Sequence, residues 1–301
     1  MMLGRRRLLS ISAALLACAS LPRAAASTPL PASPGRWRGR ALGGDVQVLL
    51  SGADGSSMNA LWRRIERELR QVETMFSLYA DSTLVRLNET GIVRHPEQKM
   101  LALFTLAGKV NLATGGIFDP SVQSIWLALA SGADPVAAAA CTGWGRVRYS
   151  SEAILLPRGM KLTFNGIAQG FAADLVAAIL VDEGYGNILV DMGEMRALGD
   201  AGAGEPWSVA IADASGKVQR TLDLHDRALA TSSPQAQRVG KPEQSHILHP
   251  GERKPLWDTI SVSAASAAVA DGLSTAFCLM SRAEIDRALM HYPDARIELC
   301  I

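Results

Sequence analysis

Apolar residues recur at helical spacing between Met58 and Phe76. Met58, Leu61, Trp62, Ile65, Leu69, Val72 and Phe76 fall on one face, and Arg and Glu fill the other. The spacing predicts an amphipathic helix, with Ser56 or Ser57 as its cap. A second helix is expected from Pro96, which suits a first helical position, to about Thr114, where Gly115-Gly116 ends it. Asp134-Pro135 begins a short Ala-rich helix, and a further helix opens at Gly166 and stops near Gly184. Shorter apolar runs bounded by turn residues read as strands. They are one or two strands in 37–50 around Gly43-Gly44, then 147–149, 153–156, 161–164, 187–192, 207–213, 218–224, 228–232, 259–264 and 295–301. Between the last two lie a helix running through Asp271 to Met280 and another near 283–291. The segment from Phe76 to Asn88 is too polar for core and too structured for a linker. Helices and strands interleave without strict βαβ alternation, so the expected class is mixed α/β, one domain of two interlocked lobes over 37–301.

Composition narrows the setting. The chain has 301 residues, of which 48% are apolar, enough for a substantial core. No apolar run reaches the roughly 18 residues of a spanning helix. Arg5-Arg6-Arg7-Leu8-Leu9-Ser10, an apolar stretch to Ala19 and Ala24-Ala25-Ala26 form an export-signal pattern over 1–26. The paired arginines point to the twin-arginine route and thus to the periplasm, with a general secretory signal as the alternative. Leu15-Leu16-Ala17-Cys18 offers a third reading, a lipoprotein anchored at Cys18. Residues 27–36 read as a mobile Pro/Ala/Ser leader. Losing residues 1–26 removes four arginines and no acid, taking the formal net charge from +1 to −3. Such a balance gives no reason to expect nucleic-acid or anionic-lipid binding. The remaining cysteines, Cys141, Cys278 and Cys300, are odd in number and scattered, so buried free thiols are expected.

Several stretches carry candidate chemistry. Asp271 and Thr275 stand at i and i+4, one above the other on a helix. They read either as a helix-start cap or as the hard-oxygen pair that Mg²⁺ prefers. Gly166-x-x-x-Gly170 enters a helix, which suits either a phosphate or close helix packing. His246 and His249 lie in a Pro/Gly loop without an evident third metal ligand, so a hydrogen-bonding or basic role fits better than a zinc or copper pair. His95, His225 and His291 read as surface residues. The Phe118-Asp119 pair reads as a capping device or a ligand contact. Ser232-Ser233 follows a strand without a nucleophile elbow.

Taken in order, these stretches resemble the ApbE-like FAD:protein FMN transferases. Leu42-Gly43-Gly44, Phe76-Ser77-Leu78-Tyr79 with Asp81-Ser82 and Leu87-Asn88, and Gly115-Gly116-Ile117-Phe118-Asp119-Pro120 resemble the first family blocks. Gly166-Ile167-Ala168-Gln169-Gly170-Phe171-Ala172-Ala173-Asp174, residues 187–193, Ala230-Thr231-Ser232, His246-Ile247 and Ala270-Asp271-Gly272-Leu273-Ser274-Thr275 resemble the later ones. The resemblance implies Mg²⁺-dependent transfer of FMN from FAD to a Thr or Ser hydroxyl of an acceptor protein, with release of AMP. It implies a metal held by Asp271, Thr275 and the Gly166 carbonyl, with Ser274 as a further contact. It places Leu42, Tyr79, Ile117, Phe118, Asp119, Thr163, Gln169 and Ile247 along the FAD site and His246 at the reacting phosphate. The chain departs from the family pattern at Thr163, usually Asp, and at Gln169, usually Lys. Glu194, Ser233 and His249 also replace family residues. The F-N-G-I-A-Q-G wording resembles the NosX-type branch, linked to nitrous oxide reductase maturation. That implies a membrane-bound, NosR-like electron-transfer protein as acceptor. Two other functions are compatible with the same stretches: an FAD pyrophosphatase, or a non-catalytic flavin or copper assembly protein.

Overall fold

The computed structural model describes residues 35–52, 58–251 and 253–301. The export-signal and Cys18 readings lie outside those residues. The chain opens with a hairpin, β1 (Gly35–Ala41) and β2 (Gly44–Leu50), turned by Leu42 and Gly43 at φ 52° and 82°. Both turn residues are left-handed, as a two-residue hairpin loop requires. Gly35 and Arg36 pair with Leu50 and Leu49, so the sheet begins two residues inside the expected leader.

α1 (Asn59–Phe76) buries Leu61, Ile65, Leu69, Val72 and Phe76, as its spacing predicts. Its first turn follows Met58 and has no side-chain cap; Ser56 and Ser57 lie outside the described residues. The polar stretch after it contains α2 (Thr83–Thr90), capped by Ser82, whose hydroxyl accepts the Val85 N–H at 3.0 Å. β3 (Ile92–Arg94) leads to α3 (Gln98–Ala113), which starts two residues beyond Pro96 rather than on it. α4 (Gln123–Ser131), which the apolar pattern did not announce, precedes the Asp134-capped α5 (Pro135–Ala139). β4 (Arg148–Tyr149) and β5 (Ala153–Leu155) join β3 in a small sheet of order β3-β5-β4. The expected strand at 161–164 is absent as a strand. The Asn88 amide occupies the place of a neighbouring strand: it accepts from Leu162 N at 2.7 Å and donates to Leu162 O at 2.9 Å.

The chain then returns to the main sheet. α6 (Ala168–Asp182) is followed by β6 (Ile188–Asp191), β7 (Met195–Leu198), β8 (Trp207–Ala212), β9 (Val218–Leu224) and β10 (Ala228–Ser232). Two short strands paired with each other, β11 (Arg238–Val239) and β12 (Gln244–Ser245), precede β13 (Ile260–Ala264). α7 (Ala267–Phe277), α8 (Arg282–Leu289) and β14 (Arg296–Cys300) close the fold. α7 stops at Phe277, one turn short of the expected Met280.

The main sheet runs β1-β2-β6-β7-β10-β13-β14, with every neighbouring pair antiparallel. Its central strands β6, β10 and β13 are buried on both faces for most of their length, and their two-residue period sorts side chains between two cores. Ile188 and Val190, with Ala228 and Ala230, face the large core under the helices. Leu189 and Leu229 face a smaller one, roofed by the β8–β9 hairpin through Trp207, Val209 and Ile211. α6 and α7 lie in the large core, and their crossing carries the candidate site.

The three described cysteines are free, but only Cys278 is fully buried; Cys141 and Cys300 are half-exposed at element ends, which corrects the expectation for those two. Among the described residues no helix is long and apolar enough to cross a membrane.

Candidate active site

Close contact between α6 and α7 builds the site. A Cβ on Gly170 would stand 2.3 Å from the Ala267 carbonyl oxygen, so only glycine permits this approach. Ser266 caps α7, accepting the Val269 N–H at 3.2 Å, and Asp271 therefore sits one turn inside the helix, not at its cap. Its Oδ2 instead reaches across to α6 and accepts the Gly170 N–H at 3.1 Å. One turn further, the Thr275 hydroxyl faces the Gly166 carbonyl oxygen at 3.5 Å. A Cβ at residue 166 would come within 2.8 Å of that hydroxyl. The three atoms that sequence reasoning assigned to a metal thus share one crossing.

The electrostatics there favour a cation. Asp271 is buried, and loss of solvation raises its pKa; the Gly170 bond opposes the shift and the nearby Asp174 charge adds to it. Glu194 is also buried, and its pKa is raised well above the ordinary value, first by burial and then by Asp271, with Asp191 adding to the effect. The guanidinium of Arg196 goes to Asp174, at 3.6 Å, rather than to this pair. Among the described residues no three His, Cys, Asp or Glu side chains converge as a metal cluster. A metal here would rest on one carboxylate, one hydroxyl and one carbonyl. That all-oxygen set, with uncompensated buried acid beside it, fits Mg²⁺ completed by water or substrate oxygens and does not suit copper or zinc.

A chain of hydroxyls leads outward. Ser232, at the end of β10, lies 2.8 Å from Ser274 Oγ and 3.4 Å from Thr275 Oγ1. Two residues on, the Pro234 carbonyl accepts from His246 Nδ1 at 3.2 Å, and the Gln237 carbonyl does so at 3.1 Å. Carbonyls only accept, so Nδ1 carries the proton and Nε2 keeps its lone pair. Burial lowers the His246 pKa, outweighing these two bonds, so the ring is a neutral base near pH 7.

The residues expected to line FAD lie on turns and loops. Thr163 hangs its backbone N–H on the Pro120 carbonyl at 2.9 Å, and its hydroxyl accepts the Asn165 N–H at 3.2 Å. That joins the 117–120 loop to the Gly166 turn. Tyr79 is 71% exposed, and its phenol meets the Asn165 side chain. Ile117, Phe118 and Ile247 are buried. Asp119 works as a cap: Oδ1 accepts from the Ser121 N–H (2.8 Å) and hydroxyl (2.6 Å), and Oδ2 from Trp144 N (3.2 Å). Gln169 donates to the Met192 carbonyl at 3.1 Å, tying α6 to the β6–β7 turn. Leu42 N donates to Glu73 at 2.8 Å, which steadies its left-handed turn. His249 accepts the Gly251 N–H through Nδ1 at 2.9 Å. Sequence reasoning gave no site role to Glu194, Ser232 or Asp174, whose partners lie 37, 42 and 92 residues away in sequence. A separate shallow cavity of about 380 Å³ near Arg86, Arg94 and His95 shares no residue with this site.

The ApbE family profile matches residues 42–299. A Klebsiella pneumoniae protein called FAD:protein FMN transferase is 25% identical over 300 residues, covering 89% of this chain and 86% of its own length. The solved Pseudomonas stutzeri flavinyl transferase ApbE, in its apo form, superposes with a TM-score of 0.76 at 24% identity, covering 88% of this chain and 90% of that one. The Vibrio cholerae flavin transferase ApbE gives a TM-score of 0.74 at 24% identity, with 87% and 90% covered. At that identity the two structures speak for the fold.

Proposed function

The chain belongs to the ApbE family, and on that premise we propose that it is an FAD:protein FMN transferase using Mg²⁺. The observation that carries this reading is the α6–α7 crossing, where buried Asp271, the Thr275 hydroxyl and the Gly166 carbonyl meet at a helix start. A bound Mg²⁺ would neutralise pyrophosphate charge and stabilise the departing AMP.

The protein's own residues do the rest. The acceptor's Thr or Ser oxygen attacks the phosphorus of the FMN half. A P–O bond forms there, the bond to the AMP phosphate breaks, and AMP leaves with the electron pair. Nε2 of His246 takes the hydroxyl proton, while Nδ1–H stays on the two carbonyls that orient the ring. Tyr79 offers an exposed aromatic ring for the flavin or adenine to stack on, and the buried Ile117, Phe118 and Ile247 anchor the loops that carry the site. Gln169 and Thr163 hold the turns that frame the phosphates.

The finer assignment is to the NosX-type branch, exported by the twin-arginine route to the periplasm, with a NosR-like electron-transfer protein as acceptor. The Arg5-Arg6-Arg7 signal pattern and the 164–170 wording support it. The test is incubation with FAD, Mg²⁺ and the acceptor domain, followed by intact mass. The expected result is one FMN added per acceptor and one AMP released. AMP release at the same rate without acceptor would instead identify a pyrophosphatase.

A further inference from the structure

The α6–α7 crossing has a regular register. Gly166 faces Thr275, Gly170 faces Asp271, and Asp174 faces Ala267. Each step is four residues up one segment and four down the other, one helical turn per rung. The first two rungs carry the proposed metal oxygens. The third carries none, yet it has the most hydrogen bonds. Asp174 Oδ1 accepts from Ala267 N at 2.9 Å, and Oδ2 accepts from Ala268 N at 3.0 Å and from the Ser266 hydroxyl at 2.6 Å. Arg196, on β7, holds the same carboxylate from the sheet side at 3.6 Å.

We propose that Asp174 is a positioning residue that fixes the α6–α7 register and so sets the spacing of the Gly166, Asp271 and Thr275 oxygens; the inference rests on the Mg²⁺ reading of that site. The physical argument is that the other two rungs cannot set the register themselves. Gly170 N to Asp271 is a single bond to a carboxylate that a metal would also engage. Thr275 to Gly166 is a long contact at 3.5 Å between two oxygens that would both turn to a cation. Asp174 binds the first free N–H groups of α7 with a full negative charge, a charge-assisted contact at the positive end of that helix. Gly170 lets the helices touch, and Asp174 decides where along each other they stop.

The experiment compares Asp174→Asn with Ser266→Ala in the full chain, by calorimetric titration with Mg²⁺ alone and by thermal melting. Asn presents an NH₂ where Oδ1 or Oδ2 now accepts an N–H, so it breaks the third rung without changing its size. Ser266→Ala weakens the same helix start but keeps the Ala267 and Ala268 bonds to Asp174. The expected result is Mg²⁺ affinity about tenfold weaker in Asp174→Asn, and changed by about twofold at most in Ser266→Ala, at comparable losses of melting temperature. Equal Mg²⁺ affinity in Asp174→Asn and wild type, or equal weakening in both variants, would overturn the positioning role. A wild-type chain that takes up no Mg²⁺ would overturn the metal reading beneath it.

Discussion

The two halves of the site are made differently. The half proposed to hold the metal stands on two helices in the large core, where Gly170 has no room for a methyl group and Asp271 is 3% exposed. The half proposed to face the flavin stands on turns: Leu42 in a hairpin loop, Tyr79 after α1, the 117–120 loop after α3 and the His246–Ile247 loop after β12. One half is preformed by packed helices; the other is loop-built and includes an aromatic ring that is 71% exposed. The chemistry explains the division. A hard cation needs oxygens fixed to within tenths of an ångström, which packed helices supply. A large substrate that arrives and leaves, and a protein acceptor that must reach its phosphate, need an open side.

Substitutions in the two halves should therefore fail in different ways. Asp271→Ala should lower FMN transfer about a thousandfold, read as acceptor mass against time, because Asp271 is the one carboxylate of the proposed metal set. His246→Asn keeps a donor for the Pro234 and Gln237 carbonyls but removes the Nε2 lone pair. It should cost about a hundredfold in kcat with little change in FAD affinity. Gly170→Ala should act through the fold. Forcing a methyl group against the Ala267 backbone should cost about 1–3 kcal/mol, measured in denaturant melts, and weaken Mg²⁺ binding with it. Tyr79→Ala should raise the KM for FAD about fivefold and leave both melting temperature and Mg²⁺ affinity unchanged. A Tyr79 effect on stability, or a Gly170 effect confined to KM, would erase the contrast between the halves.

The smallest expected effect is on pH-dependent stability without metal. Burial raises the Asp271 pKa from its ordinary 3.8 to about 7. The folded chain thus holds this proton more tightly than the unfolded chain. The associated stability is complete below about pH 4 and is lost as pH rises towards 7. Asp271→Asn should flatten that decline, so that the metal-free variant melts higher than wild type at pH 8 by about 2 °C for each kcal/mol relieved.

Much of the preformed half was legible in the sequence. The period of α1, the Gly166–Gly184 helix and the apolar strand before Asp271 all emerge as expected. The i, i+4 spacing of Asp271 and Thr275 could not separate a cap from a metal pair, because spacing does not say where a helix begins. Ser266 settles the start by taking the cap. The loop-built half was less legible. α2 and α4 are short, and α4 buries Gln123 and Ser124, so neither shows a clean apolar stripe. Residues 161–164 looked like a strand because their side chains alternate, but their hydrogen-bond partner is the side chain of Asn88, 74 residues away. Asp174 was hidden for the same reason: its partners are on a helix that comes about ninety residues later. A motif shows which residues occur together in sequence, and it leaves out which backbone atoms they satisfy in space.

The joining of the two halves through one cation is tested most directly by FAD affinity, measured by equilibrium dialysis with and without Mg²⁺ in wild type and in Asp271→Asn. The account predicts that Mg²⁺ tightens FAD binding about tenfold or more in wild type and has no effect in the variant. FAD affinity independent of Mg²⁺ in wild type, or equally Mg²⁺-dependent in Asp271→Asn, would contradict it.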